Sequence, residues 1–111
     1  MPTGGKPNVL FIMSDQHRSD CLGYAGNADI KTPALDTLSE ECHVFENCFC
    51  ASPLCTPARY SLLTGLHPRQ HMGWTNHSTI PPRIETFPMT FRKNGYRTEA
   101  VGKMHFTPTY L

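Results

Sequence analysis

Residues 55–65 have the sequence Cys-Thr-Pro-Ala-Arg-Tyr-Ser-Leu-Leu-Thr-Gly, which predicts a helix with an unusual start. Pro57 has a preset φ and lacks only an N–H that a first helical turn leaves unpaired, so it favours a helix start, and Gly65 favours a helix end. Cys55 then lies at the helix N-terminus, where free N–H groups and the helix dipole stabilise negative charge. Arg59 adds a cation one turn later. The stretch therefore predicts an anion-binding site around Cys55.

Composition limits the kinds of partner. The chain has 111 residues, and 10 Lys and Arg oppose 9 Asp and Glu for a formal charge of +1. Because there is no basic stripe, we expect neither nucleic acid nor a membrane surface as a partner. No apolar run approaches the ~20 residues of a membrane span. The short apolar run 9–13 has no small-residue cleavage site after it, so it predicts a strand, not a signal peptide, and we expect a cytoplasmic chain.

The number of cysteines, 5, is odd, and their spacing fits neither a disulfide scaffold nor a zinc site with paired Cys-x-x-Cys motifs. We expect reduced thiols. Four of the cysteines are interpreted as small hydrophobic residues: Cys21, Cys42, Cys48 and Cys50.

The order of the predicted elements indicates an α/β fold. Val9–Met13 is a continuous apolar run typical of a buried parallel strand, and further strands are predicted over 43–51 and 97–101. Helices are predicted from Pro33 to near Glu41, over 57–64 and over 86–94, with a long loop over 66–83. This alternation is typical of a layered sheet with crossover helices.

Polar residues follow the first and last predicted strands, where open α/β sheets bind ligands. Asp15 and Gln16 end the first, and Lys103 and His105 end the last. Together with Cys55 they suit phosphoryl or sulfuryl transfer, which needs cations, a hard divalent ion, a nucleophile and a proton carrier. A thiolate is a poor ligand for such an ion, so Cys55 is either outside the site or not a thiol when it acts.

Two alternatives stay open at this point. Asp15 also fits a turn or cap after the strand. The four-residue spacing of His67 and His71 suggests a metal pair, although Pro68 and Gly73 argue against the helix that would place both on one face.

The motif Cys55-Thr56-Pro57-Ala58-Arg59, with 61–65 after it, resembles the signature of the type I sulfatases in the alkaline phosphatase superfamily. Ordered matches run along the chain, at 7–8, 15–16, 32–36, 95–98 and 102–105. The resemblance implies an alkaline-phosphatase-like layered sheet with helices on both faces. Residues 1–111 would form the amino-terminal portion of a sulfatase catalytic domain.

The resemblance also implies roles for individual residues. Cys55 would be oxidised to formylglycine by a formylglycine-generating enzyme and hydrated, and one hydroxyl would attack the sulfur of a small-molecule or carbohydrate sulfate ester. Arg59 would orient this group, Lys103 would bind sulfate oxygens, and His105 would assist proton transfer. The metal, Ca²⁺ with Mg²⁺ or Mn²⁺ as alternatives, would be held by Asp15, Gln16 and the modified Cys55.

Asp15-Gln16 departs from the two adjacent aspartates of many sulfatases. It is similar to the pair in phosphonate monoester hydrolases, so a phosphonate or phosphate ester hydrolase is an alternative. Family members are several times longer, and their remaining metal ligands lie in a part that these residues lack. We therefore expect the isolated chain to be inactive, and a non-catalytic fragment is a further alternative. A zinc module built from Cys and His residues is a third.

Overall fold

A computed structural model of the chain describes residues 5–106. This part contains four helices: α1, Pro33–Glu41; α2, Cys55–Thr64; α3, Pro68–His71; and α4, Phe87–Lys93. The chain forms two compact units, of which the first ends at Glu46 and the second begins at Asn47. Helix α1 belongs to the first unit and the other three helices belong to the second. No described helix has the length and apolar character needed to cross a membrane.

The prediction of three strands is wrong for the described residues, because residues 5–106 contain no strand. In the first predicted strand, Leu10 is 83% exposed and Ile12 is 81% exposed. A strand is held by hydrogen bonds to a neighbouring strand and by burial of its side chains, and the described residues provide no partner strand. The layered sheet of the prediction is therefore not formed within 5–106, whereas the helices are.

Helix α1 confirms its prediction, and its start is stabilised by a polar network. Thr32 is the N-cap residue, but its hydroxyl makes no cap bond. Instead Thr32 Oγ1 accepts the Gly23 N–H at 2.8 Å and donates to Asp36 Oδ1 at 2.8 Å. Asp36 Oδ1 also accepts the Tyr24 N–H at 2.9 Å. A Cβ on Gly23 would lie 2.5 Å from Asp36 Oδ2, so a larger residue here would displace the Asp36 carboxylate from this network.

Helix α2 starts two residues earlier than predicted, because Cys55 and Thr56 already have helical conformation ahead of Pro57. Gly65 ends it in the left-handed region at φ 68° and donates its N–H to Ser61 O, as predicted for a C-terminal glycine. The side chains of Thr56, Pro57 and Tyr60 are buried, and α2 packs against α3 and α4. Helix α2 is thus the centre of the second unit.

Helix α4 ends in a Schellman motif. The Gly95 N–H donates to Arg92 O at 3.0 Å and the Tyr96 N–H donates to Phe91 O at 3.1 Å. The rings of Phe91 and Tyr96 form the accompanying contact, with centroids 4.9 Å apart at 89°. The predicted stop at Asn94-Gly95 is confirmed.

Two further predictions need correction. The segment 66–83 is not entirely a loop, because α3 lies within it. Pro68 starts this helix since its φ and missing N–H suit a first helical position.

All five cysteines are free thiols, but Cys42, Cys48 and Cys50 are exposed. They are therefore not core residues in this structure.

Candidate active site

Cys55 occupies the first position of α2 and is partly buried. The neighbouring main-chain donors are largely satisfied: the Leu54 N–H donates to Ser52 Oγ, and the Thr56 N–H donates to Asn76 Oδ1 at 3.0 Å. Pro57 has no N–H, and the Ala58 N–H begins the helical ladder by donating to Leu54 O. The donors on both sides of Cys55 are thus bonded within the protein.

Lys103 supplies a cation beside this cysteine. Its Nζ lies 3.6 Å from Cys55 Sγ, although the two residues are 48 positions apart in sequence. The Lys103 side chain is exposed, so the contact lies at the surface of the second unit. A cation at this distance stabilises negative charge on whatever group position 55 carries.

Helix α2 also binds the main chain around Lys103. Arg59 Nη1 donates to Lys103 O at 2.6 Å, Thr56 Oγ1 lies 3.3 Å from His105 O, and the Tyr60 hydroxyl lies 2.6 Å from Phe106 O. Residues 56, 59 and 60 have the spacing i, i+3 and i+4, which places them on one face of a helix. This face is bonded to three carbonyl groups of the 103–106 segment.

His105 has two unusual features. Its φ is 54°, in the left-handed region, which costs a non-glycine residue on the order of 1 kcal/mol. Its Nδ1 is buried without a hydrogen-bond partner among the described residues. A buried, unpartnered ring nitrogen and local backbone strain together are typical of a residue retained for function.

Asp15 and Gln16 belong to the first unit, where both are exposed. Gln16 has φ 54°, an uncommon conformation for a non-glycine residue. The described residues hold no group of three or more His, Cys, Asp or Glu side chains placed to bind a metal. The oxygen atoms of Asp15 and Gln16 have the chemistry that Ca²⁺ prefers, but two residues supply only part of its 6–8 ligands. The described part also gives no support to the zinc module.

His71 lies in a buried structural pair rather than in a metal pair. Its ring is fully buried, Nδ1 accepts the Gly73 N–H at 3.0 Å, and Nε2 lies 3.0 Å from Ser61 Oγ. Because Nδ1 is an acceptor, the hydrogen of the neutral ring is on Nε2 and is donated to Ser61. Burial lowers the pKa of His71, which favours this neutral form.

The structure therefore brings four predicted site residues together in the second unit: Cys55, Arg59, Lys103 and His105. Thr56, Tyr60 and Asn76 were missed. The helical spacing of Thr56 and Tyr60 with Arg59 is a signal in the sequence that marks them as one face. Asn76 lies 20 residues from Thr56, and the sequence gives no local signal for that contact.

The chain is similar in sequence to known sulfatases. The family model for sulfatases, described as "Sulfatase", matches residues 7–110. An arylsulfatase of Clostridium perfringens is 40% identical over 111 residues, covering 93% of this chain and 22% of that protein. An N-acetylglucosamine-6-O-sulfatase of Bacteroides thetaiotaomicron is 33% identical over 100 residues, covering 90% of this chain and 18% of that protein. The chain thus spans about a fifth of the length of these relatives.

A solved structure is also similar. The phosphonate monoester hydrolase of Agrobacterium radiobacter matches with a TM-score of 0.78 and 37% identity, over 82% of this chain and 18% of that one. Over the matched residues, the chain has the fold of the corresponding part of that hydrolase.

Proposed function

Because the chain belongs to the sulfatase family, we propose that it forms the nucleophile-bearing part of a sulfuric ester hydrolase, with Cys55 as the residue that becomes formylglycine. One observation carries the proposal: Cys55 sits at the start of α2 with Lys103 Nζ 3.6 Å from its sulfur. This pairs a nucleophile position with a cation suited to a sulfate group. The proposed nucleophile would be made by a formylglycine-generating enzyme.

The proposed group fits the space around position 55. A hydrated aldehyde is small and polar, and the partly buried Cys55 lies beside the ammonium group of Lys103. When present, formylglycine supplies an oxygen nucleophile that a thiol lacks.

The proposed role of Lys103 is to stabilise the negative charge of the sulfate group. A sulfate ester carries negative charge on its non-bridging oxygens, and this charge is redistributed as the sulfur–oxygen bond breaks. An ammonium group held close to the reacting atoms offsets it without needing to reorganise. Arg59 contributes through the main chain, because its Nη1 bonds Lys103 O at 2.6 Å and so holds the Lys103 backbone.

His105 is the proposed proton carrier. Its buried Nδ1 has no protein partner among the described residues, so this atom is available to a group bound nearby. Imidazole nitrogens serve as general acids and bases in other hydrolytic sites, and His105 would take this role here.

The proposed metal is Ca²⁺, with Mg²⁺ or Mn²⁺ as alternatives. Asp15 and Gln16, neighbours in the first unit, would supply oxygen ligands. A bound divalent cation polarises the ester and stabilises negative charge on it.

The proposed substrate is a small-molecule or carbohydrate sulfate ester. One relative is named an arylsulfatase and the other an N-acetylglucosamine-6-O-sulfatase. A second candidate, a phosphonate or phosphate ester hydrolase, is favoured by two observations: the Asp15-Gln16 pair and the 37% identity to a phosphonate monoester hydrolase.

Mass spectrometry of the peptide that contains Cys55 tests the proposal. The chain is expressed in a host that has the converting enzyme, and the expected result is replacement of the sulfur of Cys55 by an aldehyde oxygen. Cys50, five positions earlier and exposed, serves as the internal control and keeps its thiol. An intact Cys55 thiol under these conditions would refute the proposal.

Activity of the polypeptide that contains this chain decides between the two candidates. A nitrophenyl sulfate and a nitrophenyl phenylphosphonate are compared at matched concentrations. A higher kcat/KM for the sulfate supports the sulfatase. A higher value for the phosphonate supports the second candidate.

A further inference from the structure

The side chains of α2 that bind the 103–106 segment suggest a role beyond the motif itself. We propose that Thr56 and Tyr60 are positioning residues, which fix the distance between Lys103 and residue 55 by holding the main chain after Lys103. The catalytic meaning of this distance rests on the proposed function. The positioning itself is a property of the folded chain.

The 103–106 segment needs such contacts because neither a helix nor a strand includes it. Val101, two residues before Lys103, is 96% exposed, and Lys103 is itself exposed. The contacts described for this segment are instead bonds to side chains of α2, from Thr56, Arg59 and Tyr60.

Thr56 is fully buried and lies directly after the nucleophile position. Its N–H donates to Asn76 Oδ1, and its Oγ1 lies 3.3 Å from His105 O and 3.4 Å from Asn76 O. One residue thus contacts both the 66–83 region and the strained His105. A shift of the 103–106 segment away from α2 would break the contact with His105 O.

Tyr60 provides the second contact. Its hydroxyl lies 2.6 Å from Phe106 O and 2.7 Å from Ser78 O, and its single hydrogen is available to either carbonyl. Burial raises the pKa of the Tyr60 phenol, so the hydroxyl keeps its hydrogen over the working pH range. Tyr60 is fully buried on the same helix face as Thr56.

Thr56 and Tyr60 are not proposed to contact the reacting atoms. They hold the main chain of the 103–106 segment, so that α2, which carries Cys55, also holds Lys103 in place. A charge fixed in advance in this way stabilises the transition state without reorganisation.

Trypsin cleavage after Lys103 tests the inference, because cleavage requires the 103–106 segment to leave α2. When opening is fast relative to cleavage, the cleavage rate follows the population of the open form. Removing one hydrogen bond raises this population about fivefold. Thr56→Val keeps the shape of the side chain and removes the hydroxyl, whose one hydrogen is shared between His105 O at 3.3 Å and Asn76 O at 3.4 Å. Cleavage after Lys103 is therefore expected to be faster by about two- to fivefold. Thr56→Ser is expected to restore the original rate.

Thr64→Val is the matched control. Thr64 Oγ1 donates to Tyr60 O at 2.6 Å and accepts the Leu66 N–H at 3.2 Å, and neither bond involves the 103–106 segment. Thr64→Val should leave cleavage after Lys103 unchanged while it speeds cleavage after Arg59, which requires α2 to open. Tyr60→Phe is the second test variant, and cleavage after Lys103 should be about fivefold faster in it, because the Tyr60 hydroxyl lies only 2.6 Å from Phe106 O.

Two outcomes overturn the inference: unchanged cleavage after Lys103 in both test variants, or an equal increase in Thr64→Val. An unmodified Cys55 would refute the proposed function and leave this result unaffected, so the two failures are distinguishable.

Discussion

Replacing His71 by leucine tests the buried pair that joins α2 to α3. Leucine fills part of the space of the ring but cannot accept the Gly73 N–H or donate to Ser61 Oγ. Gly73 is itself buried, so its N–H would have no acceptor, at a cost of about 1–3 kcal/mol. The lost bond to Ser61 adds about 1 kcal/mol. We expect the free energy of unfolding to fall by roughly 2–4 kcal/mol, with a drop in Tm on the order of 10–20 °C.

His71→Asn is the matched control, since asparagine is close to leucine in size but keeps an oxygen that can accept the Gly73 N–H. We expect it to recover about 1–2 kcal/mol of the loss. Urea unfolding followed by far-ultraviolet circular dichroism measures both variants. Equal stability of the leucine and asparagine variants would show that the acceptor for Gly73 contributes nothing.

The same residue predicts a pH dependence. Burial lowers the pKa of His71 in the folded state, so between that value and ~6.5 the unfolded chain binds the extra proton. Stability from this group is complete above ~6.5 and is lost as the pH falls towards the folded pKa. Both His71 variants should lose this part of the pH profile. An unchanged profile in His71→Leu would contradict the assignment.

Three further substitutions are informative. Gly65→Ala places a Cβ in open space, so any loss of stability comes from the left-handed φ of 68°. We expect the free energy of unfolding, measured in urea, to fall by about 1 kcal/mol. Gly73→Ala places a Cβ 2.7 Å from Tyr60 Cδ2 and is expected to cost about 1–3 kcal/mol; a neutral result would mean that the ring moves freely. Lys93→Ala removes an exposed ion pair with Glu85 and should leave Tm unchanged.

The helices were predictable because their signals are local. Proline at the start of α1 and glycine after α2 and α4 act within one turn of the residues they affect. Strand formation depends on a partner elsewhere in the chain, and the apolar pattern of 9–13 does not reveal whether a partner is present. The strand predictions failed for this reason.

For the site, the sequence identified residues but not all of their contacts. Cys55, Arg59, Lys103 and His105 were identified from a motif, and the structure places them in one unit, although their chemical roles stay predictions. The resemblance implies that Arg59 orients the group at position 55, and this stays a prediction. The structure adds a contact that the sequence did not predict, from Arg59 Nη1 to Lys103 O. A side chain with five donors fits many partners, so sequence alone does not decide among them.

The contact between Lys103 and Cys55 also orders events during synthesis. Its two residues are 48 positions apart, so at about 5–20 residues per second the ribosome needs roughly 2–10 s to add Lys103 after Cys55. Throughout that interval the cation that later lies beside position 55 has not yet been made. Under the proposed function, an enzyme that modified Cys55 within this interval would meet the cysteine before Lys103 has been added to the chain.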